Sequence, residues 1–324
     1  MFSLNEILER VENEISQLRF NKSPNSLYTP ISYILSIGGK RIRPALTLIA
    51  CNIYSNTIEA SIAPALCLEV FHNFTLLHDD LMDQADKRRN KPTVHKIWNE
   101  NTAILSGDAM LIASYQLIAG CHPSYLKEAL DLFTTTALDI CGGQHYDMEF
   151  ESRTDVTEAE YMEMIRLKTA VLLACSLKIG AIAGGASRED AEHLYQYGLY
   201  TGLAFQLQDD LLDVYGDTDT FGKNIGGDIL CNKKTFLLVH ALAHASTEQK
   251  EEMYRWFGQK TFDPSLKIAT FKRIYNDLGV KDITTHRIED LYTKALCHLK
   301  QLNVPEKRLE ILKEAGNLLL YRKS

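Results

Sequence analysis

Proline is scarce in this chain, at eight residues in 324, and long stretches have none, so few helices are forced to break early. Period-two β-branched runs and Asn-Gly or Asp-Gly turns are missing, which argues against a hairpin-built β fold. The seven cysteines are scattered, with no C-x-x-C pair, so neither a zinc ribbon nor a disulfide framework is expected. No apolar stretch is expected to reach the roughly 20 residues that span a bilayer. The first residues, MFSLNEILERVENEI, lack an apolar core of signal-peptide length. There is no basic excess either. The net charge is −7, which leaves no bulk electrostatic footprint for nucleic acid, so any anion site must come from a local basic cluster. These absences predict a soluble cytoplasmic protein with no nucleic-acid partner and no integral membrane segment.

What is present is helical. Apolar residues recur at three and four positions almost throughout. They predict helices near 3–20, 27–36, 42–54, 59–85, 99–119, 124–150, 157–184, 188–216, 234–245, 247–259, 264–278, 282–302 and 305–322. Breaks are expected at Gly38-Gly39, Asn90 to Pro92, Cys121 to Pro123, Gly184-Gly185 and Gly222 to Gly227. No low-complexity linker divides the chain, so 1–324 reads as a single all-α domain.

The segment HDDLMD at 78–83 returns as QDDLLD at 208–213. On a helix, Asp79 shares a face with Asp83 and Asp80 flanks them; Asp209, Asp213 and Asp210 repeat the pattern. Two carboxylates about 4 Å apart repel by roughly 4 kcal/mol at an effective dielectric near 20. Two such clusters, each emerging from an apolar run, point to a divalent cation, and hard oxygen donors favour Mg²⁺ or Mn²⁺ over zinc. Basic residues supply the complement. Lys40, Arg41 and Arg43 lie in GGKRIRP, a glycine turn entering a helix, where N–H groups and guanidinium forks suit phosphate. Arg88-Arg89 come after the first cluster, and Lys223 and Lys233 after the second. Together they describe a site for two polyanionic groups.

With RRNKPTVH, RLKTA and AFQLQDDLLD, the sequence closely resembles the trans-isoprenyl diphosphate synthases over nearly its whole length. The resemblance implies a single bundle of long antiparallel helices around a deep central cavity (the isoprenoid synthase fold), working as a homodimer. It implies that Asp79, Asp80, Asp83, Asp209, Asp210 and Asp213 hold three Mg²⁺ ions, with Mn²⁺ as substitute, on an allylic diphosphate. By the same resemblance Arg88, Lys168, Lys223 and Lys233 grip that diphosphate, with Lys234 competing for the last place. Thr169 and Gln206 lie near the ionising carbon, and Lys40, Arg43, His72 and Arg89 receive isopentenyl diphosphate. Asn90 stands where glycine is commoner, and asparagine tolerates a left-handed turn.

The implied reaction joins isopentenyl diphosphate head-to-tail to dimethylallyl, geranyl or farnesyl diphosphate. Phe74, five positions before Asp79, resembles the bulky floor of short-chain members, which implies farnesyl or geranylgeranyl diphosphate as product. On an ideal wheel, Thr75 would be the residue aligned with Asp79.

Three other readings are weaker. A class I terpene cyclase would carry an Asn/Ser/Glu second site. A di-iron oxidase would need a second copy of the Glu69/His72 pair. A non-catalytic subunit would not need both clusters intact. His78 and His95 flank the first motif and could orient its neighbours. His193, His240, His244, His286 and His298 show no shared metal spacing and read as ordinary helix residues.

Overall fold

A computed structural model describes residues 1–216, 225–259 and 261–320. Its Cα positions form two compact units: Met1–Thr134 with Cys175–Leu194 and Asn303–Lys313, and Thr135–Ala174 with Tyr195–Leu302 and Glu314–Ser324.

In the first unit, the Ser3 hydroxyl and the Glu6 carboxylate form a capping box that starts α1 (Leu4–Gln17), and Leu4, Ile7, Val11 and Ile15 make its buried stripe. Helix α2 is Asn25–Ser36. Helix α3 (Ile42–Tyr54) is buried at every position from Pro44 to Ile53, as expected for a core helix rather than an amphipathic one. The 59–85 segment resolves into a 3₁₀ turn, Glu59–Ser61, and α4 (Ile62–Met82), which is apolar on nearly all sides until its last turn. A short α5 (Val94–Ile97) leads into α6 (Glu100–Ile118), which packs along α4. Gly107 on α6 lets His78 lie against that helix, because a Cβ would stand 2.1 Å from its Nε2 and displace the ring.

Helix α7 (Pro123–Ser152) precedes α8 (Glu158–Ile165), whose Thr157–Glu160 capping box matches the sequence signal. The helix expected over 157–184 is interrupted by a π turn at Arg166–Ala170 before α9 (Val171–Ala183). Helix α10 is Arg188–Tyr215. The second unit continues with α11 (Gly227–Leu230), α12 (Phe236–His244), α13 (Thr247–Phe257), α14 (Pro264–Asp277) and α15 (Val280–Leu299). The last helix is α16 (Glu310–Leu320).

The strands the sequence did not announce are minimal: β1 (Lys87–Arg88) pairs antiparallel with β2 (Lys91–Pro92). Arg89 and Asn90 between them both have positive φ, 51° and 62°, the signature of a type I′ hairpin turn. The left-handed tolerance of asparagine is used at Asn90, but the arginine before it adopts the same region.

The expectation that no stretch reaches membrane length is corrected by Glu59–Met82 and Glu158–Gly184, both long and apolar enough to cross a bilayer. Of their most apolar windows, 67% and 72% is buried inside the protein, as core helices require.

Candidate functional site

The first cluster sits where α4 ends. Asp79 and Asp80 occupy its last turn, and Asp83 is the C-cap, its N–H donating to the Asp79 carbonyl at 2.9 Å. The three carboxylates have different surroundings. Asp80 is 2% exposed and both its oxygens accept from Arg88: Nε lies 2.9 and 2.8 Å from Oδ1 and Oδ2, and Nη2 is 2.7 Å from Oδ1. Asp79 is half-buried and Asp83 exposed. The hairpin after α4 folds Arg88 back onto the helix that precedes it.

A cationic pocket lies in the same unit. Arg43 Nη1 is 3.0 Å from His72 Nε2. Arginine can only donate, so this ring nitrogen accepts and the imidazole is neutral with its proton on Nδ1. Burial, and then Arg43, Arg89, Arg88 and Arg41, hold the His72 pKa well below its ordinary 6.5. Burial also brings the Arg43 guanidinium down to about 10, against the pull of Glu69. Its Nε is buried without a hydrogen-bond partner, the kind of orphaned donor that a bound anion satisfies. Arg89 reaches the same place: a Cβ on Gly39 would stand 2.5 Å from its Nη1, so only glycine lets the guanidinium lie against that turn.

Arg41 departs from the phosphate-binding expectation. It is 5% exposed, donates to Glu69 at 2.7 Å, Glu12 at 2.9 Å and the Leu35 carbonyl at 2.7 Å, and adopts a left-handed φ of 47° to point inward. It is an internal strut. Glu69 is thereby committed to Arg41 and to Asn73 Nδ2 at 2.9 Å, which removes it as the partner of His72 in a di-iron pair. His78 contacts the Ile104 carbonyl at 3.2 Å and packs its ring 4.8 Å from Phe74, and neither buried ring nitrogen of His95 has a hydrogen-bond partner. Phe74 is buried against Phe71, 5.5 Å away, which itself meets Phe133 at 5.2 Å. The Thr75 hydroxyl donates back to the His72 carbonyl at 2.8 Å.

The second cluster lies on α10 in the second unit. Asp210 is 3% exposed and held by neutral donors: the Tyr161 hydroxyl, Gln206 Nε2 at 3.1 Å and the Phe236 N–H at 3.3 Å. Burial, then the Asp228 charge, raise its pKa to about 7. Thr169 extends the chain by donating to Gln206 Oε1 at 3.1 Å. Lys168, in the π turn, contacts Asp147 Oδ2 at 2.6 Å. Asp213 Oδ2 accepts the Asp228 N–H at 3.1 Å and its carbonyl accepts the Gly226 N–H at 2.6 Å, so the GGD turn clasps the end of the cluster. Asp209 is half-buried.

Lys223 lies outside the described residues. Lys233 and Lys234 separate clearly. Lys234 is 7% exposed, reaches the Glu151 and Asn232 carbonyls at 3.4 Å, and stands 5.7 Å from the Phe257 ring centroid. The Lys233 side chain is 45% exposed beside Asp228. Asn232 before it has φ 57°, a left-handed conformation that asparagine tolerates.

The polyprenyl synthetase family model matches residues 24–277. The chain belongs to the polyprenyl synthetase family. A short chain isoprenyl diphosphate synthase of Methanothermobacter thermautotrophicus is 37% identical over 95% of this chain and 90% of its own length. A solved geranylgeranyl pyrophosphate synthase is 40% identical over all of both chains, with a TM-score of 0.92. A geranylgeranyl pyrophosphate synthase of Corynebacterium glutamicum, complexed with isoprenyl diphosphate and magnesium, is 27% identical over 99% of this chain and all of its own, with a TM-score of 0.88. The all-α fold class is that of this polyprenyl synthetase family.

Tyr161, Asp147 and Asp228 escaped sequence reasoning. Each acts on a partner 15 or more residues away, 49 for Tyr161 and Asp210. The only sequence trace of Asp228 is the GGD that precedes the basic pair.

Proposed function

We propose that this chain is a trans-prenyltransferase that condenses isopentenyl diphosphate head-to-tail with an allylic diphosphate. The observation that carries this reading is the half-buried Arg43–His72 pair with its orphaned Nε, flanked by Arg89, in the same unit as an aspartate cluster. One polyanion fits the guanidinium pocket, and the carboxylates require a cation before they accept another. The donors fit Mg²⁺ or Mn²⁺: all are hard oxygens, with Asp79 and Asp83, and Asp209 and Asp213, each one helical turn apart. All six aspartates belong to that function. All six would hold the ions, and Asp80, Asp210 and Asp213 also accept from Arg88, from Tyr161 and Gln206, and from the Asp228 N–H.

Three bound Mg²⁺ would neutralise the diphosphate as a leaving group. The chain's own groups do the rest. Arg88, Lys168, Lys223 and Lys233 grip the allylic diphosphate, and its C–O bond breaks with the electron pair leaving on oxygen. Lys40, Arg43, His72 and Arg89 hold isopentenyl diphosphate so that its double bond attacks the allylic carbon. Thr169 and Gln206 line the cation, and the departing diphosphate takes the proton lost from the new bond's neighbour. Phe74 closes the product cavity at fifteen to twenty carbons, and the similarity to geranylgeranyl synthases favours twenty. Exposed Ile104, Leu105 and Ile112 on α6 supply an apolar face for a homodimer. None of the seven cysteines is in a disulfide, which suits the reducing cytoplasm.

The test is turnover by purified protein with Mg²⁺, isopentenyl diphosphate and each allylic starter from five to fifteen carbons, with products sized by mass spectrometry. A Mg²⁺-dependent twenty-carbon diphosphate is expected. Hydrocarbon release without isopentenyl diphosphate would make the protein a cyclase, and no consumption of any starter would make it a subunit that needs a partner.

A further inference from the structure

Three side chains outside the aspartate clusters converge in the second unit. One potential ligand atom from each of Glu158, His240 and His244 lies within 4.8 Å of the other two. We propose that these residues form a second, separate metal site that takes a transition-metal dication of the zinc, cobalt or nickel type. Two imidazoles with one carboxylate are a poor set for Mg²⁺ and a good one for these ions, leaving a position for water.

The local structure prepares the donors. His240 and His244 stand one turn apart on α12, their ring centroids 4.2 Å apart and nearly parallel at 21°. Glu158 opens α8, held in place by the Thr157–Glu160 capping box. His240 Nδ1 is 2.7 Å from Glu158 Oε1, and His244 Nδ1 is 3.0 Å from the His240 carbonyl oxygen. A carboxylate and a carbonyl accept, so the ring proton at each of these contacts is on Nδ1; on metal binding His244 ligates through Nε2, and His240 through Nδ1, the nitrogen that faces Glu158, which gives up its proton. The N–H that His244 donates to the His240 carbonyl is the outer contact that metal-binding imidazoles commonly make. Metal–nitrogen bonds of about 2.0–2.1 Å require the three donors to draw together by roughly 1 Å. His240 is buried and Glu158 is fixed at a helix start, so exposed His244 makes that movement.

The ion would tie α8 to α12. Those two helices provide the Tyr161 hydroxyl and the Phe236 N–H that hold Asp210. The site therefore braces the shell of the second aspartate cluster, but its existence does not depend on prenyl transfer. Glu158 lies 82 residues before His240, so no spacing in the sequence brings the three side chains together.

The experiment is a Co²⁺ titration of untagged protein with Mg²⁺ saturating the aspartates, then Zn²⁺ displacement. Binding of one Co²⁺ per chain is expected, with the strong visible absorption of four- or five-coordinate cobalt, lost on adding Zn²⁺. His244→Gln, at an exposed position, should weaken binding at least tenfold with unchanged helical circular dichroism, and Glu158→Gln should weaken it as well. An unchanged isotherm in His244→Gln, or only the faint spectrum of six-coordinate cobalt, would overturn the proposal. So would a wild-type chain that binds no Co²⁺ at millimolar concentration.

Discussion

The two aspartate clusters are spelled almost alike, yet their central carboxylates occupy opposite electrostatic settings. Asp80 is buried under a guanidinium eight residues further along the chain, which offsets the cost of desolvating its charge. Asp210 is equally buried but meets a phenol, an amide and a backbone N–H, with Asp228 nearby, and its pKa rises to about 7. The cause is the path of the chain beyond each motif. Helix α4 stops at Met82 and a hairpin returns Arg88 to it, whereas α10 continues to Tyr215 and its Asp210 takes its donors from α8, α12 and α10 itself. A repeated motif therefore fixes which side chains share a helix face, and the flanking chain decides which donors those side chains meet.

The largest effect should come from the residues on which the clusters agree. Asp79→Ala and Asp209→Ala are each expected to lower turnover on the order of 10³-fold, read by steady-state assay at saturating Mg²⁺. If only one collapses, the two clusters are not equivalent in the reaction. Next come the residues on which they differ. Arg88→Ala strands a buried carboxylate and should cost about 2–3 kcal/mol in urea unfolding, a value reduced because Arg88 is itself partly exposed. Tyr161→Phe removes a single neutral donor and should cost about 1–2 kcal/mol. Equal costs would abolish the contrast drawn between charged and neutral surroundings.

Phe74→Ala should lengthen the product by at least one isoprene unit, scored by chromatography of dephosphorylated products. An unchanged distribution would leave Phe74 as core packing against Phe71 and His78 only. The smallest effect concerns His72. Its folded pKa lies below the unfolded 6.5, so below pH 6.5 the unfolded chain binds a proton that the folded one refuses, and stability falls with acidification. Substrate-free wild type should lose more thermal stability between pH 7.5 and 5 than His72→Gln does. Parallel curves would mean that His72 titrates normally and that the cationic pocket is weaker than its geometry implies.

Most helix positions were legible because the period of apolar residues survives along the whole chain, and the misses have local causes. The π turn at Arg166–Ala170 leaves no mark in periodicity; its backbone packs against Gly143 of α7, where a Cβ would stand 2.3 Å from the Lys168 backbone nitrogen. The hairpin at Lys87–Pro92 carries neither Asn-Gly nor Asp-Gly, and its turn is maintained by the contacts that Arg88 and Arg89 make. Arg41 and Arg43 look interchangeable in GGKRIRP, and only the position of Glu69 turns one into a strut while Arg43 keeps an unpaired Nε. Lys233 and Lys234 are adjacent in sequence and differ in burial because α12 begins two residues later, at Phe236.

By itself the sequence determined the all-α class, the pairing of Asp79 with Asp83 and of Asp209 with Asp213, and the family, since these depend on spacing along one helix or on motifs read in order. Only the tertiary structure decided that Asp80 is paired with Arg88, that Asp210 is held by Tyr161 from 49 residues away, and that Glu158 meets two histidines on α12. Burial and through-space charge set those properties, and neither is a function of distance along the chain.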